Sequence, residues 1–257
     1  MGINTYKNVV AIVAAAGRGA RLKSSTPKPL IILDKEPLII HTLRSLSRIS
    51  CISRIIVAVN QKDFREIRDK IKIHNLDSLI KLVLGGRTRR QSVENALGEI
   101  PAKTDLVLIH DCARPFIDKE IILRAIKEAK KFGAAVVAVP IKSTLKQIKR
   151  LRFGPYKKEY TFVAKTIDRE KIWDIQTPQV FKKDLILKAY RRFKDKNVTD
   201  DASLVERLGV KISLVRGSYF NIKITTPEDL VFARAIVRNP KFKMQKSGLK
   251  DLRVRKG

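Results

Sequence analysis

Cysteine is scarce in this chain: two in 257 residues, Cys51 and Cys112. They are too few and too far apart to frame a disulfide-stapled domain or a zinc site, and a reducing cytoplasm is the expected compartment. No apolar run approaches the roughly 20 residues that cross a bilayer. The N-terminus lacks a basic stretch followed by an apolar core, so secretion is not expected. Tyr6 stands where a myristoylation motif takes Ser or Thr. Aromatic residues are only 6% of the chain and do not interleave with basic ones, so nucleic-acid binding is not the expected main function despite the charge. Two common phosphate-binding signatures are also missing. The dinucleotide fingerprint needs a third small residue where Leu22 stands, and no Gly-Lys-Ser/Thr closes a Walker loop. Internal repeats and a domain linker are absent.

What the chain does have is cationic charge: 55 Lys and Arg against 25 Asp and Glu, a net charge of +30, with 44% hydrophobic residues. That suits one large α/β domain handling phosphorylated ligands. The stretch from Val9 to Leu33 is the centre of the pattern. An unbroken apolar run, Val9 to Ala16, suits a strand buried on both faces of a parallel sheet. Gly17 and Gly19 follow, where the backbone turns and approaches a ligand closely. Arg21 and Lys28 come next on a segment too polar for a core. Backbone N–H groups, a guanidinium fork and an ammonium together suit a polyphosphate. The pattern Gly-x-Gly-x-Arg followed by Pro27-Lys28 resembles the signature of nucleotidyltransferases.

Further along, strands are expected at Arg54–Asn60, Leu79–Leu84, Asp105–His110, Ala134–Val139 and Lys211–Val215. Helices are expected at 37–47, 63–73, 89–100, 118–132, 184–193, from 199–201 to Leu208, and from the cap Thr226 to about Val237. Asn221–Thr225 reads as a short extended piece. Strand and helix alternate, so the expected fold is α/β, a Rossmann-like, mostly parallel sheet with helices on both faces. Residues 141–171 break the rhythm. Two runs of period two flank Gly154-Pro155, the signature of a protruding β-hairpin arm. Such a hairpin is marginal alone, so it is expected to pack on a second subunit. The division is a single domain over 1–238 with the arm inserted at about 141–171, then a basic tail over 239–257. From Arg238 onward the chain carries eight Lys and Arg and one acid.

Polar clusters fall at the expected carboxyl ends of strands: Gly17–Lys28, Gly85–Ser92, His110–Arg114 and Lys142–Thr144. That is where open α/β sheets bind ligands. The segments AAAGRGARL with PK, GGRTRRQSV, IHDCARP, AVPIKSTLK, IDREKIWDIQTPQVF, VTDDASLVE and NIKITTPEDL, spanning about Ile12 to Ala235, resemble the 2-C-methyl-D-erythritol 4-phosphate cytidylyltransferase family. The resemblance implies metal-assisted transfer of CMP from CTP to methylerythritol phosphate, in the non-mevalonate route to isoprenoids. The acceptor phosphate attacks the α-phosphorus in line and pyrophosphate leaves.

The resemblance implies that Arg21, Lys28 and Lys223 are the catalytic cations. Ala15, Ala16, Gly17, Gly19, Gly86, Ser92 and Asp111 match the CTP site. Arg114, Thr144, Arg169, Thr177 and Thr199 match positions that hold the acceptor, with Arg169 reaching into the partner subunit of a homodimer. Magnesium is expected on the triphosphate oxygens, with Asp111 as the candidate protein ligand. His110 reads as a packed strand residue rather than a base. Three positions depart from the family's usual residues: Pro29 in place of Gln, Ser143 in place of Asp, and Cys112 in place of Ala. Pro29 and Ser143 leave ribitol 5-phosphate or another polyol phosphate open as the acceptor. A non-catalytic nucleotide- or RNA-binding protein on the same fold would be expected to lack the three phosphate cations.

Overall fold

The computed structural model describes residues 8–17, 19–22, 24–153, 156–194 and 198–239. In chain order the elements are β1 (Val9–Ala14), β2 (Ile32–Leu33), β3 (Glu36–Pro37), α1 (Leu38–Ser47), β4 (Ile52–Val59), α2 (Phe64–Ile73), β5 (Ile80–Leu84), α3 (Arg89–Leu97), β6 (Leu106–Asp111), α4 (Lys119–Phe132) and β7 (Ala134–Pro140). Then follow β8 (Leu145–Phe153), β9 (Lys158–Ile167), β10 (Trp173–Lys182), α5 (Lys183–Arg192), α6 (Ala202–Glu206), β11 (Ser213–Arg216) and α7 (Pro227–Arg238). Seven strands form one sheet in the order β11-β7-β10-β6-β1-β4-β5.

Why β1 sits at the centre follows from its composition. Every residue from Val9 to Val13 is apolar and buried, so both faces of the strand must be covered. Val9, Ala11 and Val13 face one core, with α1, α2, α4 and α7 packed over it. Val10 and Ile12 face the other, beneath α3, α5 and α6. The helices are capped by their own sequence. Thr226 and Asp229 form a capping box at the start of α7, with Pro227 at the first position, and Gly133 ends α4 in the left-handed region, φ 92°.

The expected fold holds, with one strand added. β1 pairs in parallel with β4 and β6, β4 with β5, and β7 with β11, but β10 runs antiparallel between β6 and β7. The sequence pattern gives no strand there because β10 carries Gln176, Thr177, Pro178 and Gln179 in its middle, and proline argues against a central strand. The proline is accommodated because the pairing with β7 shifts register between Ile175 and Gln179. In that bulge no ladder donor is required. Other boundaries move by a few residues. Pro37 flanks α1 rather than entering it, and α6 is only five residues long. Asn221–Thr225 forms no strand.

β8 and β9 pair antiparallel as a separate two-stranded arm, exposed along almost its whole length. Its expected turn, Gly154-Pro155, lies outside the described residues, as does the tail beyond Asn239. The strand order reverses at β1: β4 and β5 lie to one side, β6 and the later strands to the other. A crevice therefore opens above the carboxyl ends of β1 and β6.

Candidate active site

A cavity of about 1070 Å³ fills that crevice. Residues 14–17 and 19–21, at the end of β1 and in the loop after it, form one wall. Gly19 adopts φ 65°, a left-handed conformation, and an added Cβ would sit 2.9 Å from Cβ of Lys28. Glycine is thus what lets the loop fold back on the turn carrying Lys28. That turn is a 3-10 segment, Lys28–Leu30, with Pro29 and Leu30 buried and the lysine facing the cavity. Gly85 and Gly86 form the opposite wall. A Cβ on Gly85 would lie 2.3 Å from Cβ of Ala16, so the two loops close against each other only with glycine there. Ser92 Oγ accepts from the N–H of Gly86 and donates to the carbonyl of Thr88, which fixes that wall to the first turn of α3.

Asp111 ends β6 at the floor of the cavity. Its Oδ2 lies 2.7 Å from Lys223 Nζ, its Oδ1 accepts from Arg89 Nε at 2.9 Å, and Arg114 Nε stands 3.9 Å away. Burial works against the charge, but Arg89, Lys223 and Arg114 hold this carboxyl well below the usual carboxylate range. Burial, then the charge of Lys223, lowers the pKa of Lys28. Cations are thus crowded around one carboxylate, an arrangement that a polyanion would relieve.

Neighbouring residues secure the floor. Thr42 Oγ1 donates to the Cys112 carbonyl, and the N–H of Ile224 donates to the Ala113 carbonyl, which docks the Lys223 segment on the end of β6. Burial pushes the Cys112 thiol up to about 12, so it is a neutral packing group. His110 is fully buried and burial lowers it to about 4. The Arg114 carbonyl takes a bond from Nε2–H, and Nδ1 then accepts from Thr177 Oγ1–H. His110 is therefore a neutral packed residue, as expected.

The bulge of β10 supplies the struts. Thr177 Oγ1 also accepts from the N–H of Asp111. Gln176 Nε2 donates to the Ser218 carbonyl and its Oε1 accepts from Asn221 Nδ2, which holds the loop leading to Lys223. Gln179 Oε1 accepts from the N–H groups of both Asp201 and Ala202, and its Nε2 donates to Asp200. The buried side chains of Gln176, Thr177 and Gln179 thus each have defined partners, as burial demands.

Arg21, Lys28 and Lys223 all line the cavity, together with Ala15, Ala16, Gly17, Gly19, Gly86, Ser92 and Asp111. The five acceptor-side residues do not. Arg114 is turned into the protein, donating to the carbonyls of Asn221 and Ile175. Thr177 is buried and occupied as above. Thr144 and Arg169 are exposed at the base of the arm, where Arg169 donates to the Lys142 carbonyl, and Thr199 is exposed in the loop before α6. Sequence reasoning did not single out Arg89, Asp201, Gln176, Gln179 or Asn221. The signal available was QTPQ itself: amides and a hydroxyl inside a segment otherwise fit for a core.

For a metal, the described residues contain no group of three or more His, Cys, Asp or Glu that could hold one. Asp111 is the carboxylate facing the cavity, and both its oxygens already meet cations. The site therefore fits a divalent ion brought in on phosphate oxygens, not one caged by protein.

Known proteins share both the sequence and the fold. Residues 9–239 match the family described as 2-C-methyl-D-erythritol 4-phosphate cytidylyltransferase. The protein of that name from Desulforamulus reducens is 41% identical over 234 residues, covering 90% of this chain and 96% of the relative. A bifunctional IspD/IspF enzyme from Desulfotalea psychrophila is 40% identical over 240 residues, 93% of this chain but 59% of its own length. A crystal structure of 4-diphosphocytidyl-2C-methyl-D-erythritol synthase from Anaerococcus prevotii superposes with a TM-score of 0.77 at 34% identity, covering 91% of this chain and 97% of that one. With sequence matched over nearly its whole length and a cationic cavity at the sheet's switch point, the chain belongs to the 2-C-methyl-D-erythritol 4-phosphate cytidylyltransferase family.

Proposed function

We propose that the chain transfers CMP from CTP to 2-C-methyl-D-erythritol 4-phosphate and releases pyrophosphate, a step of isoprenoid synthesis. The observation that carries this reading is the convergence of Arg21, Lys28 and Lys223 with the glycine loop on one cavity large enough for a nucleoside triphosphate. The triphosphate lies along the 15–21 loop, with Lys28 and Arg21 on its oxygens. The base sits in the cavity against Ala15, Ala16, Gly86 and Ser92. Lys223, held in place by Asp111, neutralises the reacting phosphates. No covalent intermediate is needed, because in-line phosphoryl chemistry depends on positioning and charge neutralisation. A divalent cation, magnesium, would be held by triphosphate oxygens and Asp111, and would supply further neutralisation of developing charge.

The acceptor side is completed by a second copy. The arm carries a cluster of exposed aromatic rings, Phe153, Tyr160 and Phe162, with centroids 6.0–6.5 Å apart. Such a face on a two-stranded hairpin calls for a covering surface. In a homodimer joined by the arms, Arg169 and Thr144 at the arm's base would serve the partner's cavity. A cytosolic location accords with two buried free cysteines, and among the described residues no helix is long and apolar enough to cross a membrane.

The test is product identification. Mass spectrometry of a reaction with CTP, magnesium and methylerythritol 4-phosphate should show the cytidine diphosphate adduct of the acceptor. Its absence, with CTP bound and unconsumed, contradicts the proposal.

A further inference from the structure

We infer that Asp201 is a positioning residue for the transfer reaction, acting through Arg89 on the Asp111 carboxylate; this rests on the CMP-transfer reading above. Asp201 lies outside the cavity lining, at the start of α6, and is 1% exposed. A buried carboxylate is costly unless it is held and paired. This one is held from three sides. Its backbone N–H, with that of Ala202, is fixed by Gln179 Oε1. Its Oδ1 accepts from Tyr190 O–H at 2.5 Å. Its Oδ2 lies 2.8 Å from Arg89 NH2, a charge contact outside hydrogen-bond geometry. Burial opposes the charge on Arg89, but Asp201 and Asp111 outweigh it and hold the guanidinium charged.

The consequence lies in how Arg89 meets Asp111. A free guanidinium binds a carboxylate with two parallel N–H groups, taking both oxygens. Here the charge of Asp201 draws NH2 towards itself, and Arg89 meets Asp111 through its Nε, at Oδ1. Oδ2 is left to Lys223. Asp201 thereby sets the rotation of the Asp111 carboxylate and the resting place of Lys223, although it touches no ligand. Replacing Asp201 by Asn keeps the shape and the acceptor for Tyr190, but sets an amide against Arg89 and frees the fork to chelate Asp111. Lys223 then loses its anchor, and the reacting groups lose their register.

The experiment is steady-state kinetics with CTP and methylerythritol 4-phosphate on wild type, Asp201→Asn, Tyr190→Phe, Arg89→Gln and the Arg89→Gln/Asp201→Asn double variant, with circular dichroism and Tm for each. Asp201→Asn is expected to lower kcat by about 10- to 100-fold, the scale of a small misplacement at a reacting centre, with the KM for CTP changed less than about threefold. Tyr190→Phe, which removes one support of the same carboxylate, should lower kcat in the same direction by a smaller factor. In the Arg89→Gln background the Asp201 change should cost less than about twofold more, because residues acting as a unit are non-additive. Equal and additive losses in both backgrounds would overturn the inference, as would an Asp201→Asn enzyme with unchanged kcat. Should Asp201→Asn fail to fold, an unchanged kcat in Tyr190→Phe would overturn it equally. Wild type without turnover would refute the CMP-transfer reading itself, which sets that failure apart from a failure of Asp201 alone.

Discussion

Lys28 and His110 show how burial gives neighbouring side chains opposite roles. Lys28 faces the cavity with its charge crowded by Lys223, so an incoming triphosphate relieves repulsion as well as gaining attraction. Lys28→Ala is expected to lower kcat by about 10²–10³-fold, the cost of losing one preorganised transition-state charge, with an unchanged circular dichroism spectrum. Near-wild-type turnover would remove the residue from the chemistry. His110 is buried neutral, lowered by burial to about 4 against an ordinary 6.5. Between those values the unfolded chain binds a proton that the native state refuses, so stability falls as pH drops from about 6.5 to about 4 and levels off below. The full loss is about 3 kcal/mol. Urea unfolding at pH 7 and pH 4.5 should show it in wild type and show less of it in His110→Gln. Of these residues the cavity-facing ones were legible in the sequence, because Gly17, Gly19, Arg21 and Lys28 follow a strand within a few positions. Arg89 and Asp201 were not, since their pairing joins α3 to α6 across more than a hundred residues.

At the level of elements, β10 explains most of what the pattern left out. A strand is recognised by alternation or by an apolar run, and Gln176–Gln179 offers neither. Its polar groups are satisfied only by loops that arrive from elsewhere in the chain: the Asn221 loop, the Asp111 turn and the start of α6. The arm was legible because period-two alternation is local. The C-terminal edges of α3 and α6 were not: α3 ends at Leu97 rather than at residue 100, and α6 at Glu206 rather than at Leu208. Gln179→Ala should destabilise the protein by about 2 kcal/mol or more, since it leaves the N–H groups of Asp201 and Ala202 buried without an acceptor. Chemical denaturation measures this directly, and a change within about 0.5 kcal/mol would mean that water or a rearranged loop satisfies them.

The whole molecule, on this account, works as two copies, each arm completing the other's acceptor site. That arrangement has a consequence no single-chain site shares. Lys28→Ala and Arg169→Ala subunits, each weak alone, should regain about a quarter of wild-type activity when mixed and allowed to exchange: half the dimers are mixed, and each mixed dimer has one intact site. No gain on mixing would place Arg169 in the cavity of its own subunit. The acceptor itself is the larger question, because Pro29 and Ser143 depart from the Gln and Asp that the family resemblance leads one to expect. The most direct test is pyrophosphate release with CTP and magnesium, comparing methylerythritol 4-phosphate with ribitol 5-phosphate under identical conditions. The account predicts turnover with methylerythritol phosphate and little or none with ribitol phosphate. Turnover with ribitol phosphate alone would contradict it, keeping the fold and the CTP site but moving the enzyme to polyol activation.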